Sequence, residues 1–111
     1  MAKFVLRFRT ADRRIFNALK SGDKTIETRA ATPRFAKIKP GDELILICGQ
    51  KRLTRPVSRV EHFESLEKML GQIPYTKIMP WVSSREEAIK VYYSFPRYPE
   101  KIKQFGILAL S

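Results

Sequence analysis

The stretch Gly22-Asp23-Lys24-Thr25-Ile26-Glu27-Thr28-Arg29 marks the point where a predicted helix ends and a predicted strand begins. Gly22 is a natural stop for that helix, because glycine adopts the left-handed conformation common at helix ends without steric cost. A strand is predicted from Thr25 to Ala31, and together with the residue before it the strand carries a cation, an anion and a second cation in close succession. A solvent-facing strand does not need this arrangement, whereas a pocket for a polar or anionic ligand can use it. Lys24, Glu27 and Arg29 are therefore the first candidates for chemistry.

The spacing of these three residues leaves two interpretations open. In a regular strand Glu27 and Arg29 share one face and Lys24 lies on the other. Lys24 then reaches Glu27 only if the chain after Gly22 is twisted or bulged. The alternative is that Glu27 pairs with Arg29 on a solvated face and Lys24 is an ordinary loop lysine.

The elements on either side of this stretch follow from hydrophobic periodicity. Residues 3–9 alternate apolar with mostly basic side chains, which predicts a strand. Thr10 can cap the helix that follows, whose buried stripe is Ile15, Phe16 and Leu19.

The hydrophobic pattern of the rest of the chain predicts further strands and helices of ordinary length. Strands are predicted at 43–48, 52–63 and 104–110, and helices from Ser65 to Leu70 and after Ser83-Ser84 up to Pro96. Within 52–63, Pro56 and a slip in the alternation indicate an edge strand or a bulge. About five strands and about three helices make this an α+β chain, and the short spacing of the strands favours a small β-barrel or strongly curved sheet flanked by helices.

The charge of the chain is strongly positive and unevenly distributed. Of 111 residues, 22 are Lys or Arg and 11 are Asp or Glu, for a formal net charge of +11. Residues 1–59 hold 15 of the basic and 5 of the acidic side chains. A surface of this kind attracts phosphate backbones and favours a nucleic-acid partner. A soluble, highly charged surface without such a partner is the alternative.

Length and composition exclude several classes of protein. The chain predicts one domain, 1–111, with no signal peptide and no apolar run near the roughly 20 residues of a membrane span. One cysteine, Cys48, and one histidine, His62, argue against a disulfide framework, a metal site and a Ser-His-Asp triad. Cys48 ends an apolar run and is expected to be a buried thiol. We therefore expect a cytoplasmic protein, a monomer, that needs no metal and no other cofactor.

Several motifs, in order, resemble those of the ASCH domain (activating signal cointegrator homology). The motifs are Phe16 and Leu19 followed by Gly22-x-Lys24-Thr25-Ile26-Glu27-x-Arg29, Lys39-x-Gly41-Asp42, the helices at 65–70 and 83–88, and Phe105-Gly106-Ile107. Each motif alone is weak, but their order and spacing are fairly specific, and the resemblance runs from Phe4 to Leu110. It implies a PUA-like fold, which is a compact β-barrel with helices at its mouth, and a cleft that contacts RNA or modified nucleosides.

The resemblance also implies two kinds of activity for the cleft. In the leading interpretation, Lys24, Glu27 and Arg29 accept a nucleotide or modified base. The alternative is a small hydrolase, either an amidohydrolase of N4-acetylcytidine or a metal-independent ribonuclease, with Lys24 and Glu27 as the catalytic candidates. The amidohydrolases use a lysine, a threonine and a glutamate. Here Lys24 matches the lysine, Glu27 stands at the threonine position, and residues 78–81 lack the carboxylate, so binding is favoured over catalysis.

Further basic and aromatic residues complete the predicted interface. Arg7, Arg9, Lys51 and Arg52 are expected to track phosphates. Trp81 is either a stacking platform for a base or a core residue under a long loop. A third hypothesis is a protein-interaction module whose basic surface is incidental.

Overall fold

Two three-stranded sheets and four helices make up the chain, which a computed structural model describes over all residues, 1–111. The strands are β1 (Lys3–Phe8), β2 (Glu27–Ala30), β3 (Glu43–Cys48), β4 (Lys51–Pro56), β5 (Val60–Phe63) and β6 (Ile107–Leu110). The helices are α1 (Arg13–Ser21), α2 (Leu66–Gln72), α3 (Arg85–Ser94) and α4 (Tyr98–Phe105). The α+β class is confirmed. The elements number six strands and four helices, and their pairings define two sheets rather than one closed five-stranded barrel.

The first sheet has the order β1-β3-β4, and the second has the order β2-β6-β5. β1 and β3 are parallel, so a crossover must connect them, and that crossover contains α1 and β2. β3 and β4 form an antiparallel hairpin through Gly49-Gln50. The second sheet is antiparallel throughout, and each of its strands has four residues.

The prediction of one strand over 52–63 is wrong, because the chain changes sheets there. β4 ends at Pro56 on the edge of the first sheet, and β5 begins at Val60 in the second. In between, the backbone N–H of Val57 donates to Asp42, and the N–H groups of Ser58 and Arg59 donate to Ser111. The slip in alternation marks this change of partners rather than a bulge.

A second correction concerns the end of the chain. The strand predicted over 104–110 begins only at Ile107, because Tyr98–Phe105 is an additional helix, α4. Pro99 lies in its first turn, where proline needs no N–H partner and its fixed φ favours helix initiation. Gly106 then connects α4 to β6 with φ at +83°.

β6 lies between two hydrophobic cores, which explains why all four of its residues are buried. Leu108 and Leu110 belong to the core under α1 and the first sheet, whereas Ile107 and Ala109 belong to the core under α2, α3 and α4. β2 pairs with β6 and is therefore held at the same junction. No helix has both the length and the apolar character that crossing a membrane would require.

Candidate functional site

A cavity of about 190 Å³ opens between β1, β2, the start of α1 and the end of α3, and we call it the cleft. Its lining comprises Arg7, Phe8, Arg9, Asp12, Ile15, Lys24, Glu27, Thr28, Arg29, Met79, Tyr92, Phe95, Pro96 and Tyr98. Five residues predicted to form the site, Lys24, Glu27, Arg29, Arg7 and Arg9, are thus brought together from two separate segments. Four basic and two acidic side chains give the lining a positive charge.

Lys24 reaches the cleft because β2 does not begin at Thr25. Gly22 ends α1 with φ at +89°, and the N–H of Lys24 then donates to Ala18 at 3.0 Å. The next two N–H groups, of Thr25 and Ile26, donate to one carbonyl, that of Lys77. The backbone is therefore irregular up to Glu27. Because Lys24 precedes the regular strand, its side chain does not have to point to the face opposite Glu27.

The ammonium group of Lys24 is held by two acceptors in a nearly dry environment. Its Nζ donates to the carbonyl of Ile78 at 2.7 Å and lies 3.5 Å from Oε1 of Glu27. Only 2% of the side chain is exposed. Burial lowers the pKa of Lys24 below its ordinary value, and the attraction of Glu27 offsets only part of this effect. A proton on Lys24 is therefore released more readily than from a surface lysine.

Glu27 links the two cations of the cleft. Its Oε1 accepts from the N–H of Thr28 at 2.8 Å, and its Oε2 lies 3.4 Å from the guanidinium of Arg29. Arg29 also donates to the carbonyl of Arg7 and lies with Cζ 4.7 Å from the centre of the Phe8 ring. The three charged groups form a connected network on one wall, and the interpretation of Lys24 as an ordinary loop lysine is wrong.

Another part of the lining is aromatic and carries buried hydroxyl groups. Tyr92 and Tyr98 stack with ring centres 6.4 Å apart, and Phe95 meets both edge to face. The Tyr92 hydroxyl forms a short hydrogen bond with that of Thr28, and burial raises the pKa of Tyr92. These residues were missed as site residues. The sequence marks Tyr92 and Phe95 only as one apolar helix face, which is the ordinary signal for a core.

Arg9 and Asp12 lie at the mouth of the cleft and form an ion pair of 2.7 Å between Nε and Oδ2. The Arg9 side chain remains 54% exposed. Arg7 is also exposed. The mouth therefore presents guanidinium groups to solvent while the interior of the cleft is largely shielded from it.

The other predicted interface residues lie outside the cleft. Lys51 and Arg52 are exposed at the start of β4, directly after the turn of the β3–β4 hairpin. Trp81 is half-buried, packs partly against the core under α2 and α3, and lines a different hollow beside α1. Their role in RNA binding stays a prediction. Cys48 is buried, as expected, and no three His, Cys, Asp or Glu side chains cluster as metal ligands would.

Together, the fold and the cleft define a small α+β protein with a polar, partly aromatic cleft beside two sheets. Solved structures that are similar to it include the following two. The crystal structure of hypothetical protein PH0355 is 29% identical with a TM-score of 0.83, and the match covers 98% of this chain and 95% of that one. The solution NMR structure of protein PF0455 from Pyrococcus furiosus is 27% identical with a TM-score of 0.74, over 97% and 93% of the two chains. No protein-family model and no curated protein matches the chain.

Proposed function

We propose that this chain is an RNA-interacting domain of the PUA-like, ASCH kind that accepts one nucleotide or modified base in the cleft. One observation carries the proposal, namely the convergence of buried Lys24, Glu27 and Arg29 on one wall of a small cavity. A volume of about 190 Å³ lies below the roughly 300–1,000 Å³ of pockets for drug-sized ligands. The cleft therefore suits a single ring system. We expect the protein to act as a monomer in the cytoplasm.

The polar groups of the cleft match the edge of a nucleobase. The Glu27 carboxylate can accept from an exocyclic amine, and Lys24 and Arg29 can donate to ring or carbonyl acceptors. The Thr28 and Tyr92 hydroxyls can exchange donor and acceptor roles, because either can supply the proton of their shared hydrogen bond. The aromatic wall of Phe95 and Tyr98 supplies rings on which a base can stack.

The mouth of the cleft suits the phosphate of the same nucleotide. Arg7 and Arg9 are exposed there, and Asp12 neutralises only one of them. Guanidinium groups bind phosphate through paired hydrogen bonds. The excess of basic residues in 1–59 supports approach of a polyanion to this side of the molecule.

The direct test is titration with free nucleosides and nucleoside monophosphates, followed by NMR chemical shifts and calorimetry. Glu27→Gln keeps the shape of the side chain but removes its charge, and the loss of a hydrogen bond to a charged group should weaken binding about 10-fold to 150-fold. Glu61→Gln is the matched control, because Glu61 lies in β5 outside the cleft. Unchanged affinity in Glu27→Gln for every nucleoside would remove the proposed pocket.

A hydrolase is the second candidate, and the lowered pKa of Lys24 favours it. Lys24 releases its proton more readily than a surface lysine, and it lines the same cavity as the Thr28 hydroxyl, so a base and a nucleophile for hydrolysis of an acylated amine are present in one site. Incubation with N4-acetylcytidine and with single-stranded RNA tests this candidate. Hydrolysis that survives Lys24→Ala, with the fold intact, would exclude Lys24 as the base.

A further inference from the structure

A second concave surface lies on the outer side of α1, and we call it the α1 hollow. It is open, has a volume of about 540 Å³, and is lined by Arg13, Arg14, Asn17, Ser21, Asp23 and Trp81, together with Ala18 and Pro80. None of these residues lines the cleft. The hollow is too wide and too exposed to enclose a small molecule, so it suits a segment of an extended ligand.

The arginines of the α1 hollow carry unneutralised charge. Arg13 and Arg14 are exposed, and neither forms an ion pair, whereas Arg9, Arg29 and Arg59 each pair with a carboxylate. Asp23 is the only acidic side chain in the hollow. Two free guanidinium groups with one nearby carboxylate attract a polyanion and can bind its phosphates.

Trp81 supplies an aromatic surface in the same hollow. It is half-buried, so one part of the indole packs on the core and another part is left to line the hollow. An aromatic ring beside free cations is the combination that binds single-stranded nucleic acid, since bases stack on the ring while the cations follow the backbone. The two interpretations of Trp81 from sequence are therefore compatible.

Only a narrow ridge separates the α1 hollow from the cleft. On α1, Ile15 lines the cleft and Ala18 lines the hollow, and residues three apart on a helix have Cβ atoms about 5–6 Å apart. On the facing segment, Met79 lines the cleft and the next residue, Pro80, lines the hollow. A strand with one base in the cleft can cross this ridge and bring the neighbouring base to Trp81.

We propose that the α1 hollow binds the nucleotides that flank the base in the cleft, with Trp81 as the stacking platform and Arg13 and Arg14 as phosphate contacts. The statement that these nucleotides flank a base in the cleft rests on the proposed function. The affinity of the hollow for single-stranded nucleic acid is independent of that function. Arg13 and Asn17 also line a third hollow together with Lys51, so the basic surface continues toward the β3–β4 hairpin.

The single tryptophan of the chain provides a specific probe of this site. Titration with hexacytidylate, as ribose and deoxyribose forms, should quench the fluorescence of Trp81, because a stacked base quenches an indole. Cytidine monophosphate should fill the cleft without this effect. Hexaglutamate is the control for an acidic peptide. Equal quenching by hexaglutamate, or no quenching by either hexanucleotide, would overturn the proposal.

Variants separate the α1 hollow from the cleft. Trp81→Leu keeps apolar packing but removes the aromatic face, and it should weaken hexacytidylate binding about 5-fold to 150-fold while leaving cytidine monophosphate binding unchanged. Arg14→Ala should lower the slope of log K against log salt by about 0.7, because one phosphate contact is lost. Arg85→Ala, an exposed arginine of α3 outside the hollow, should leave that slope unchanged.

The outcomes distinguish this inference from the proposed function. If hexacytidylate quenches Trp81 but no nucleoside binds the cleft, the hollow stands and the cleft proposal fails. If nucleosides bind the cleft but Arg13→Ala and Arg14→Ala leave hexanucleotide affinity and its salt slope unchanged, the hollow is not part of the interface. The arginine variants decide the question even if Trp81→Leu does not fold, since both arginines are exposed.

Discussion

The Nζ atom of Lys24 lies 3.5 Å from Oε1 of Glu27, with only 2% and 7% of the two side chains exposed. Removing both charges from water is costly, and their attraction repays that cost only when further hydrogen bonds satisfy the remaining polar atoms. Here Ile78, Thr28 and Arg29 supply those bonds. The pair is therefore a stable part of the fold only while every partner is present, and a ligand in the cleft meets charges that are already oriented.

Lys24→Met should destabilise the fold, because it leaves the Glu27 carboxylate buried with Arg29 as its only remaining cation. Breaking a buried pair typically costs about 3–5 kcal/mol, and we expect the lower end because Arg29 remains. The measurement is the free energy of unfolding from urea denaturation. Lys20→Met, at an exposed position in the last turn of α1, should stay within about 0.5 kcal/mol of wild type.

The double variant Lys24→Met/Glu27→Gln tests the cause of that loss. Removing the carboxylate charge as well should recover part of the stability, since no unpaired charge is then buried. If the double variant loses as much free energy of unfolding as Lys24→Met and Glu27→Gln lose together, then Lys24 and Glu27 act independently.

The lowered pKa of Lys24 predicts a pH dependence with a definite sign. Above the folded-state pKa and up to the ordinary value of 10.5, the unfolded chain holds a proton on Lys24 that the folded chain has released. Stability rises with pH wherever the unfolded state binds more protons. The stability of wild type relative to Lys24→Met should therefore increase as pH rises through this window.

Urea denaturation of both proteins over the alkaline range measures this difference. The other titrating groups are common to the two proteins, so their contributions largely cancel. A difference that stays flat up to 10.5 would mean that Lys24 has an ordinary pKa in the folded protein.

Features that depend on neighbouring residues could be predicted from the sequence. Gly22 ends α1, and Ser65 and Ser84 cap α2 and α3 by accepting from the N–H three residues later. A cap needs only a suitable side chain and the first turn of its own helix, so its signal is local. The same holds for the β3–β4 hairpin at Gly49-Gln50.

Features that depend on distant partners could not be predicted in this way. The chain changes sheets at 57–59 because the backbone carbonyls of Asp42 and Ser111 accept hydrogen bonds from these residues. The side chains at 57–59 do not indicate that these two distant residues will be the partners. Likewise, Lys24 is positioned by the carbonyls of Lys77 and Ile78. Every residue has a carbonyl, so the sequence gives no sign of which ones will hold the lysine.

Tyr92→Phe should cost about 1–2 kcal/mol, because it leaves the buried Thr28 hydroxyl without its partner. The neighbouring Tyr93 provides a matched control. It is 50% exposed, and its hydroxyl meets only the Glu67 carboxylate at 3.5 Å, so Tyr93→Phe should be close to neutral.

Thermal unfolding followed by circular dichroism compares these variants with Tyr92→Phe/Thr28→Val. That double variant removes both hydroxyls and should lose less than the sum of the single losses, because no unpaired polar group remains. Equal losses for Tyr92→Phe and Tyr93→Phe would contradict the assignment of a buried hydroxyl pair.

Gly106→Ala should be as damaging as Lys24→Met, since it combines backbone strain with a collision. The residue has φ at +83°, and an added Cβ would lie 2.5 Å from both His62 Nε2 and the carbonyl oxygen of Phe63. The Phe63 oxygen belongs to β5 and cannot move without disturbing the pairing with β6. His62 would also lose its 2.8 Å hydrogen bond to Phe105. We expect a loss of about 3 kcal/mol in the free energy of unfolding.

Gly71→Ala is the control that separates these causes from a general effect of replacing glycine. Gly71 lies within α2, and an added Cβ there meets no atom within 4 Å. Because alanine stabilises a helix relative to glycine, the free energy of unfolding of this variant should rise by up to about 1 kcal/mol. Similar unfolding midpoints for the two alanine variants would mean that Gly106 is not confined between β5 and α4. A large loss for Gly106→Ala alone would establish that the junction holding β6, and through it β2 and Glu27, tolerates no side chain at this position.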